Sequence, residues 1–355
     1  MRAIPTSYVK ETHKLGETLY TLNSGVLVRY GAILTKELVK QIEDQNIFTV
    51  YIIDEHSDYE VNSVISQQLR QRGNLLVKEL FDAVSKRVSF IDIHKKIYEL
   101  SDDILYEVSS VRNDQIEYVD IKKTDNYLYT SSFNTALLSV LLGWSLKLKR
   151  DQLKDLFIGA IYHDIGLALI PKAVVNKTEK LTIDEQKMII MHPKRGYELL
   201  KDLPFISSHT KSIVFQHHEH IDGSGYPSRT KGSNVSILSQ IVGLSDIYDA
   251  MVSDKPYKRA STPSEAIEYI MGVADRHFKF EIVNEFIKKI NPFPAGSLIE
   301  LNTGEKAVVD FVPKQLPLRP KIRIINKSIY GINYTEVDLS EETNLVIKKM
   351  IYSID

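Results

Sequence analysis

FQHHEHIDGSGYP, Phe215 to Pro227, sets three histidines and two acids directly before a glycine-rich turn. The chain of 355 residues has only 10 histidines, and two of them, His217 and His218, are adjacent here. Neighbouring side chains on a helix point about 100° apart, so the pair need not share a target. Imidazoles gathered beside a bend whose glycines admit close backbone approach still have the chemistry of a ligand site.

Three further stretches bear on the same question. AIYHDIG puts His163 and Asp164 at the end of an apolar helix that stops at Gly166, and MIIMHPKRG puts His192 after four apolar residues. QIVGLSDIYDAM makes Asp246 the first acid of an otherwise apolar helix. Singly, each has an ordinary explanation. A histidine at a helix end is commonly a hydrogen-bonded cap, and a buried aspartate can pair with an arginine as readily as with a metal. Together they are imidazoles and carboxylates in apolar helical surroundings, with no matching supply of basic residues nearby. That is a donor set for zinc, manganese or iron, in which an aspartate can bridge two ions.

Composition narrows the class. Hydrophobic residues at 43% and charged residues at 26% describe a globular protein. With 45 basic against 46 acidic residues, no global field draws the chain to DNA or an anionic membrane, so an anionic ligand must be held locally. Cysteine is absent, which excludes disulfides, thiolate metal sites and cysteine nucleophiles. The apolar run Ala136–Leu146 is too short to span a bilayer and the N-terminus has no apolar signal core, so the expected location is the cytoplasm.

Periodicity divides the chain into an α+β module over 1–56, a helical linker over 57–115, a helical domain over 116–291 and a β-rich extension over 292–355. In the first, short strands with a turn at Asn23-Ser24-Gly25 precede an amphipathic helix carrying Leu38, Val39 and Ile42, then a strand over Ile47–Ile53. In the linker, Gly73-Asn74 is expected to divide two helices. In the extension, a hairpin turns at Asn302-Thr303-Gly304 and KIRII forms a further strand.

In order along the chain, HDIG, KLT, HP, HHE, DGSGYP, SDIYDA and SDKPYK resemble the HD-GYP domains of bacterial signalling, over about Asp125 to Phe286. The resemblance implies a mainly α fold, an HD-GYP helical bundle of the HD superfamily, with the small α+β module before it and the small β element after it. It implies a metal-dependent phosphodiesterase that converts cyclic di-GMP to pGpG and GMP. It also implies one or two divalent ions, iron or manganese. Asp164 would bridge them, His163 and Asp246 would hold one, and His192, His217 and His218 the other. A hydroxide between ions ~3.5–4 Å apart would attack phosphorus, with His163 and Asp164 as the catalytic pair. Gly225, Tyr226, Asp249, Lys255 and Lys258 would meet the substrate.

The sequence departs from that pattern at defined positions. YLYTSSFN has Ser131 where the family has a metal-binding histidine, and Tyr127 where some members have a glutamate for a third ion. Leu167 replaces the lysine of HD-x-G-K, removing a positive charge from the phosphate. His220 and Gln240 each stand where arginine is common, and Lys255 replaces another arginine, keeping the charge but losing the bidentate fork. Two readings stay open. One is an enzyme with weakened activity on one tight and one weak metal. The other is an inactive cyclic di-GMP receptor or protein-interaction module that signals through its N-terminal region. A signalling protein partner and a homodimer are compatible with both; DNA and membrane are not expected as partners.

Overall fold

In the N-terminal part, alternation of apolar residues decides the elements. The structure is a computed structural model that describes residues 1–21, 25–45, 47, 49–56, 64–110, 116–117, 127–253, 261–328 and 331–354. Chain contacts gather into two compact units, the first built from 1–71, 112–121 and 287–355, the second from 72–111 and 122–286. Linear boundaries at 56, 115 and 291 follow changes of periodicity. The units instead follow burial, which joins the two ends of the chain in one unit.

In the first unit, β1 (Arg2–Pro5), β2 (Lys14–Leu15), β3 (Leu19–Tyr20), β4 (Val26–Val28), α1 (Lys36–Asp44) and β5 (Thr49–Ile53) follow one another. β5 lies between β1 and β2 in an antiparallel sheet, with Ile4 opposite Val50. Helix α1 starts where the Thr35 hydroxyl accepts the Leu38 N–H, and it buries Ile42 against Ile4, Leu15, Val50 and Ile52. Residues 22–24 and 48 of the expected turn and strand lie outside the described residues. β6 (Ile116–Glu117) pairs in parallel with β7 (Ile290–Asn291).

The tail is richer in strands than its sequence suggested. β8 (Leu298–Leu301), β9 (Lys306–Phe311), β10 (Lys321–Ser328), β11 (Gly331–Asp338) and β12 (Ile347–Ile351) form an antiparallel sheet in the order β11-β10-β9-β8-β12. The expected hairpin turn is present, with Gly304 in the left-handed region at φ +88°. β12 escapes a sequence reading because IKKMI pairs with β8 through a register shift rather than through a local hairpin. Arg2 ties the termini together, donating to Asp54 at 2.7 Å and to the Tyr352 carbonyl at 3.1 Å.

The second unit is helical. It uses α2 (Gln67–Ser85), α3 (Ile91–Ser110), α4 (Tyr127–Ser145), α5 (Arg150–Tyr162), α6 (Lys172–Val175), α7 (Ile183–Ile190), α8 (His192–Leu200), α9 (Ser208–Gln216), α10 (Ile237–Met251), α11 (Pro263–Gly272) and α12 (Phe280–Lys289). A short 3-10 turn over Ile165–Leu169 follows α5. Helix α4 carries no charged residue, as suits a central helix, and packs against both α5 and α10. α5 also packs on α3 and α9.

The expected break at Gly73-Asn74 is corrected by the structure: α2 runs through both residues. A Cβ at position 73 would lie 2.0 Å from the Phe133 ring, so this glycine makes room for α4 rather than ending a helix. The break falls at Lys86-Arg87, where Arg87 takes φ +57°. Val64 and Ile65, read as helical, precede α2, and Val61 lies outside the described residues.

Candidate metal centre

Each imidazole of the centre is oriented by its own helix. His163 follows the last turn of α5, and its Nδ1 lies 2.6 Å from the Ala160 carbonyl. His192 opens α8 with Nδ1 2.7 Å from the Ile189 carbonyl, and His217 closes α9 with Nδ1 3.0 Å from the Val214 carbonyl. A carbonyl only accepts, so in all three rings Nδ1 carries a proton, which leaves Nε2 as the atom that can meet a cation. The same i−3 backbone contact therefore orients all three rings.

These Nε2 atoms converge. His192 Nε2 lies 3.1 Å from His217 Nε2 and 3.0 Å from Asp164 Oδ1. Three acceptors so close repel one another unless a cation sits among them. Asp164, His192, His217 and His218 each offer one donor atom, all within 4.8 Å of one another. Four donors held about 2.1 Å from one ion are at most about 4.2 Å apart, so a contraction of about half an ångström or more is needed to close the set. On the opposite side, His163 Nε2 is buried without a hydrogen-bond partner among the described residues, 3.4 Å from Asp164 Oδ2 and 3.6 Å from Asp246 Oδ1. The donor set fits a divalent cation, with Asp164 facing both sides.

The electrostatics agree. Burial, then the neighbouring imidazoles, push His217 and His218 well below the usual histidine range, which keeps both neutral. Burial alone would lower His163 and raise Asp164, but their mutual attraction reverses both: His163 goes well above its ordinary value and Asp164 well below. Asp246 is likewise held down against burial by His163. The charge that the carboxylates draw onto His163 is the charge a metal would supply instead.

Backbone packing holds the frame. A Cβ on Gly166 would stand 2.0 Å from the His192 carbonyl oxygen, so only glycine lets the turn after Asp164 reach α8. Gly243, which the sequence reading passed over, plays the same part for α10, where a Cβ would stand 2.3 Å from the His217 carbonyl oxygen.

The loop after His218 is also built. Tyr226 donates its N–H to the His218 carbonyl at 3.0 Å and stacks on the His218 ring at 4.7 Å and 27°. Gly225 admits this approach, since a Cβ there would lie 2.4 Å from the same carbonyl oxygen. Burial, then the charges of Asp164 and Asp246, push the Tyr226 phenol up, so its hydroxyl remains a donor. Glu219, a second residue the sequence reading left without a role, is buried and accepts from the backbone of Ser228 and Thr230 at 2.6 and 2.9 Å. Its place in HHE was the available signal.

Other expected site residues are placed differently. Asp249 is wholly buried and accepts from Ser131 at 2.6 Å and Asn134 at 3.4 Å, an α4–α10 contact rather than an exposed face for substrate. Ser131 is buried in that contact. Leu167 is 8% exposed, an apolar side chain in the 3-10 turn. Gln240 is buried, donating to the Val235 carbonyl and accepting the Lys279 N–H, each at 3.0 Å. Lys255 and Lys258 lie outside the described residues, as does the side chain of Tyr127. Among the described residues, no helix is long and apolar enough to cross a membrane.

Residues 121–282 match the HD domain family, and residues 298–354 match the KOW domain associated with HD domain. The chain is similar to the cyclic di-GMP phosphodiesterase PA4108 of Pseudomonas aeruginosa, 30% identical over 226 residues that make up 64% of this chain and 54% of that one. It is similar to the cyclic di-GMP phosphodiesterase PdeB of Borreliella burgdorferi, 31% identical over 66% of this chain and 63% of that one. A more distant relative is the 3'3'-cGAMP-specific phosphodiesterase 2 of Vibrio cholerae, 23% identical over 73% of this chain and 49% of that one. The chain thus spans less than two thirds of the length of each.

Proposed function

We infer, from the match of residues 121–282 to the HD domain family and the likeness to cyclic di-GMP phosphodiesterases, that this chain is a metal-dependent phosphodiesterase of the HD-GYP kind acting on cyclic di-GMP, with iron or manganese at the centre. The observation that carries the reading is the convergence of Asp164, His192, His217 and His218. Imidazole with carboxylate suits these borderline ions. A divalent ion there supplies Lewis-acid charge at the phosphate and acidifies water.

The chain's own residues account for the rest. Tyr226, held over His218, offers its hydroxyl to a phosphate oxygen, and Glu219 fixes the loop that carries it. Neutral His217 and His218 keep their lone pairs available at pH 7. Leu167 supplies no charge to the developing oxyanion, so turnover is slow. A protein partner or a second copy would act through the N-terminal region.

A second reading, a cyclic di-GMP receptor without turnover, is favoured by two features: Ser131 bonds to Asp249, and Leu167 is apolar. The deciding experiment is hydrolysis of cyclic di-GMP, with 3'3'-cGAMP in parallel, by protein purified anaerobically and loaded with iron or manganese, against His217→Ala. Product formation that the substitution abolishes supports the enzyme; tight binding of intact nucleotide supports the receptor. Leu167→Lys should raise the rate about tenfold at unchanged metal content. An unchanged rate in protein that still binds nucleotide would remove the missing lysine as the cause of slow turnover.

A further inference from the structure

The loop bearing Tyr226 is anchored from outside its own motif. Where HHE is commonly followed by arginine, this chain has His220. Its ring lies flat against His277, centroids 3.6 Å apart and planes 6° from parallel. The backbones run together beside the stack: Ile221 N–H donates to the His277 carbonyl at 3.1 Å and Asp222 N–H to the Arg276 carbonyl at 2.9 Å. His277 sits in the turn between α11 and α12. That turn is fixed to the interior by Phe278, which is wholly buried and would be 3.3 Å from a Cβ on Gly243. Gly243 in turn abuts the His217 backbone. The turn therefore references the loop to the same frame that holds a candidate metal ligand.

We propose that His277 is a positioning residue for the Gly225-Tyr226 loop, acting through its stack on His220 to hold Tyr226 over the centre. Four anchors hold the loop among the described residues: this stack with its two backbone bonds at the base, Glu219 on the far arm, the Tyr226 N–H on the His218 carbonyl, and the Gly232 N–H on the Ile221 carbonyl at 2.8 Å. Removing the His277 ring takes away the stack that backs the two backbone bonds at the base, so these open more often and the segment from Ile221 to Gly225 hinges more, while the ligand imidazoles, each tied to its own helix carbonyl, stay in place. The role lies in ring area. His277 Nδ1 is buried without a hydrogen-bond partner among the described residues, so an apolar ring of similar size serves as well and relieves a buried orphan.

The inference rests on the phosphodiesterase reading for its substrate effect but not for its structural one. The test compares His277→Ala with His277→Phe in the full chain by amide hydrogen exchange of residues 221–231, metal content, and KM and kcat for cyclic di-GMP. His277→Ala should speed exchange at Ile221 and Asp222 at least tenfold. It should raise KM about tenfold, with metal content unchanged and kcat within about twofold. His277→Phe should match the wild type in all four, with a melting temperature equal or higher. Unchanged exchange in His277→Ala, or a Phe variant as perturbed as the Ala variant, overturns the proposal. If no cyclic dinucleotide is bound or hydrolysed by the wild type, the phosphodiesterase reading fails while the exchange measurement still decides the role of His277.

Discussion

The two sides of the centre are unequal. On one, His192, His217, His218 and Asp164 crowd their donor atoms within 4.8 Å. On the other, His163 Nε2 stands 3.4 and 3.6 Å from two carboxylates, and α4, which packs on α10, brings Ser131 to Asp249 rather than a donor to the cluster. On the weaker side Ser131 of α4 makes a helix-to-helix hydrogen bond to Asp249, while His163, His192 and His217 are each tied to a backbone carbonyl of their own helix.

The largest expected effect breaks the crowded side. His217→Ala should remove most bound metal and at least about 100-fold of activity, as read by elemental analysis and turnover, and His163→Ala should retain more metal than His217→Ala. The reverse order would make the His163 side the tighter one. Next, Gly166→Ala should cost about 1–3 kcal/mol in denaturant unfolding, because the added methyl meets the His192 carbonyl. A neutral result would mean that the turn and α8 are not held in this contact.

Ser131→His sharpens the comparison from the weak side. It should raise metal stoichiometry towards two per chain and increase turnover several-fold, provided the imidazole displaces the Asp249 hydrogen bond. If neither changes, Ser131 is not at the second position. The smallest effect concerns a buried carboxylate with no such partners. Glu17 Oε1 is buried without a hydrogen-bond partner among the described residues, and burial pushes its pKa from 4.5 to about 7, opposed only partly by Arg70. The folded state therefore binds this proton more tightly than the unfolded one. Its contribution is fully present below about pH 4.5 and is lost as pH rises through 7. Glu17→Gln should recover about 1–2 kcal/mol at pH 8, discounted for partial exposure, and little at pH 5, as measured by melting at both. Equal effects at the two pH values would place Glu17 in water. Asp164, more deeply buried still, shifts the other way because imidazoles face it.

Much of this was legible in the sequence because it is local. Periodicity in KELVKQIEDQN gave α1, and the order of HDIG, HP, HHE, DGSGYP and SDIYDA gave the donor types and the family resemblance. Chemistry written into residue type at short range survives without coordinates. What stayed hidden depends on which residues meet across long separations. Gly73 reads as a helix break until Phe133 is seen beneath it, and Asp249 reads as a substrate contact until Ser131, 118 residues away, is seen donating to it. His277 belongs to no motif and gains a role only because the turn at 273–278 folds back onto His220. Sequence by itself determined the donors and the helices that carry them. Tertiary packing alone decided how many donors converge on one point, since convergence is set by helix approach at Gly166 and Gly243 and by the carbonyls that fix each ring.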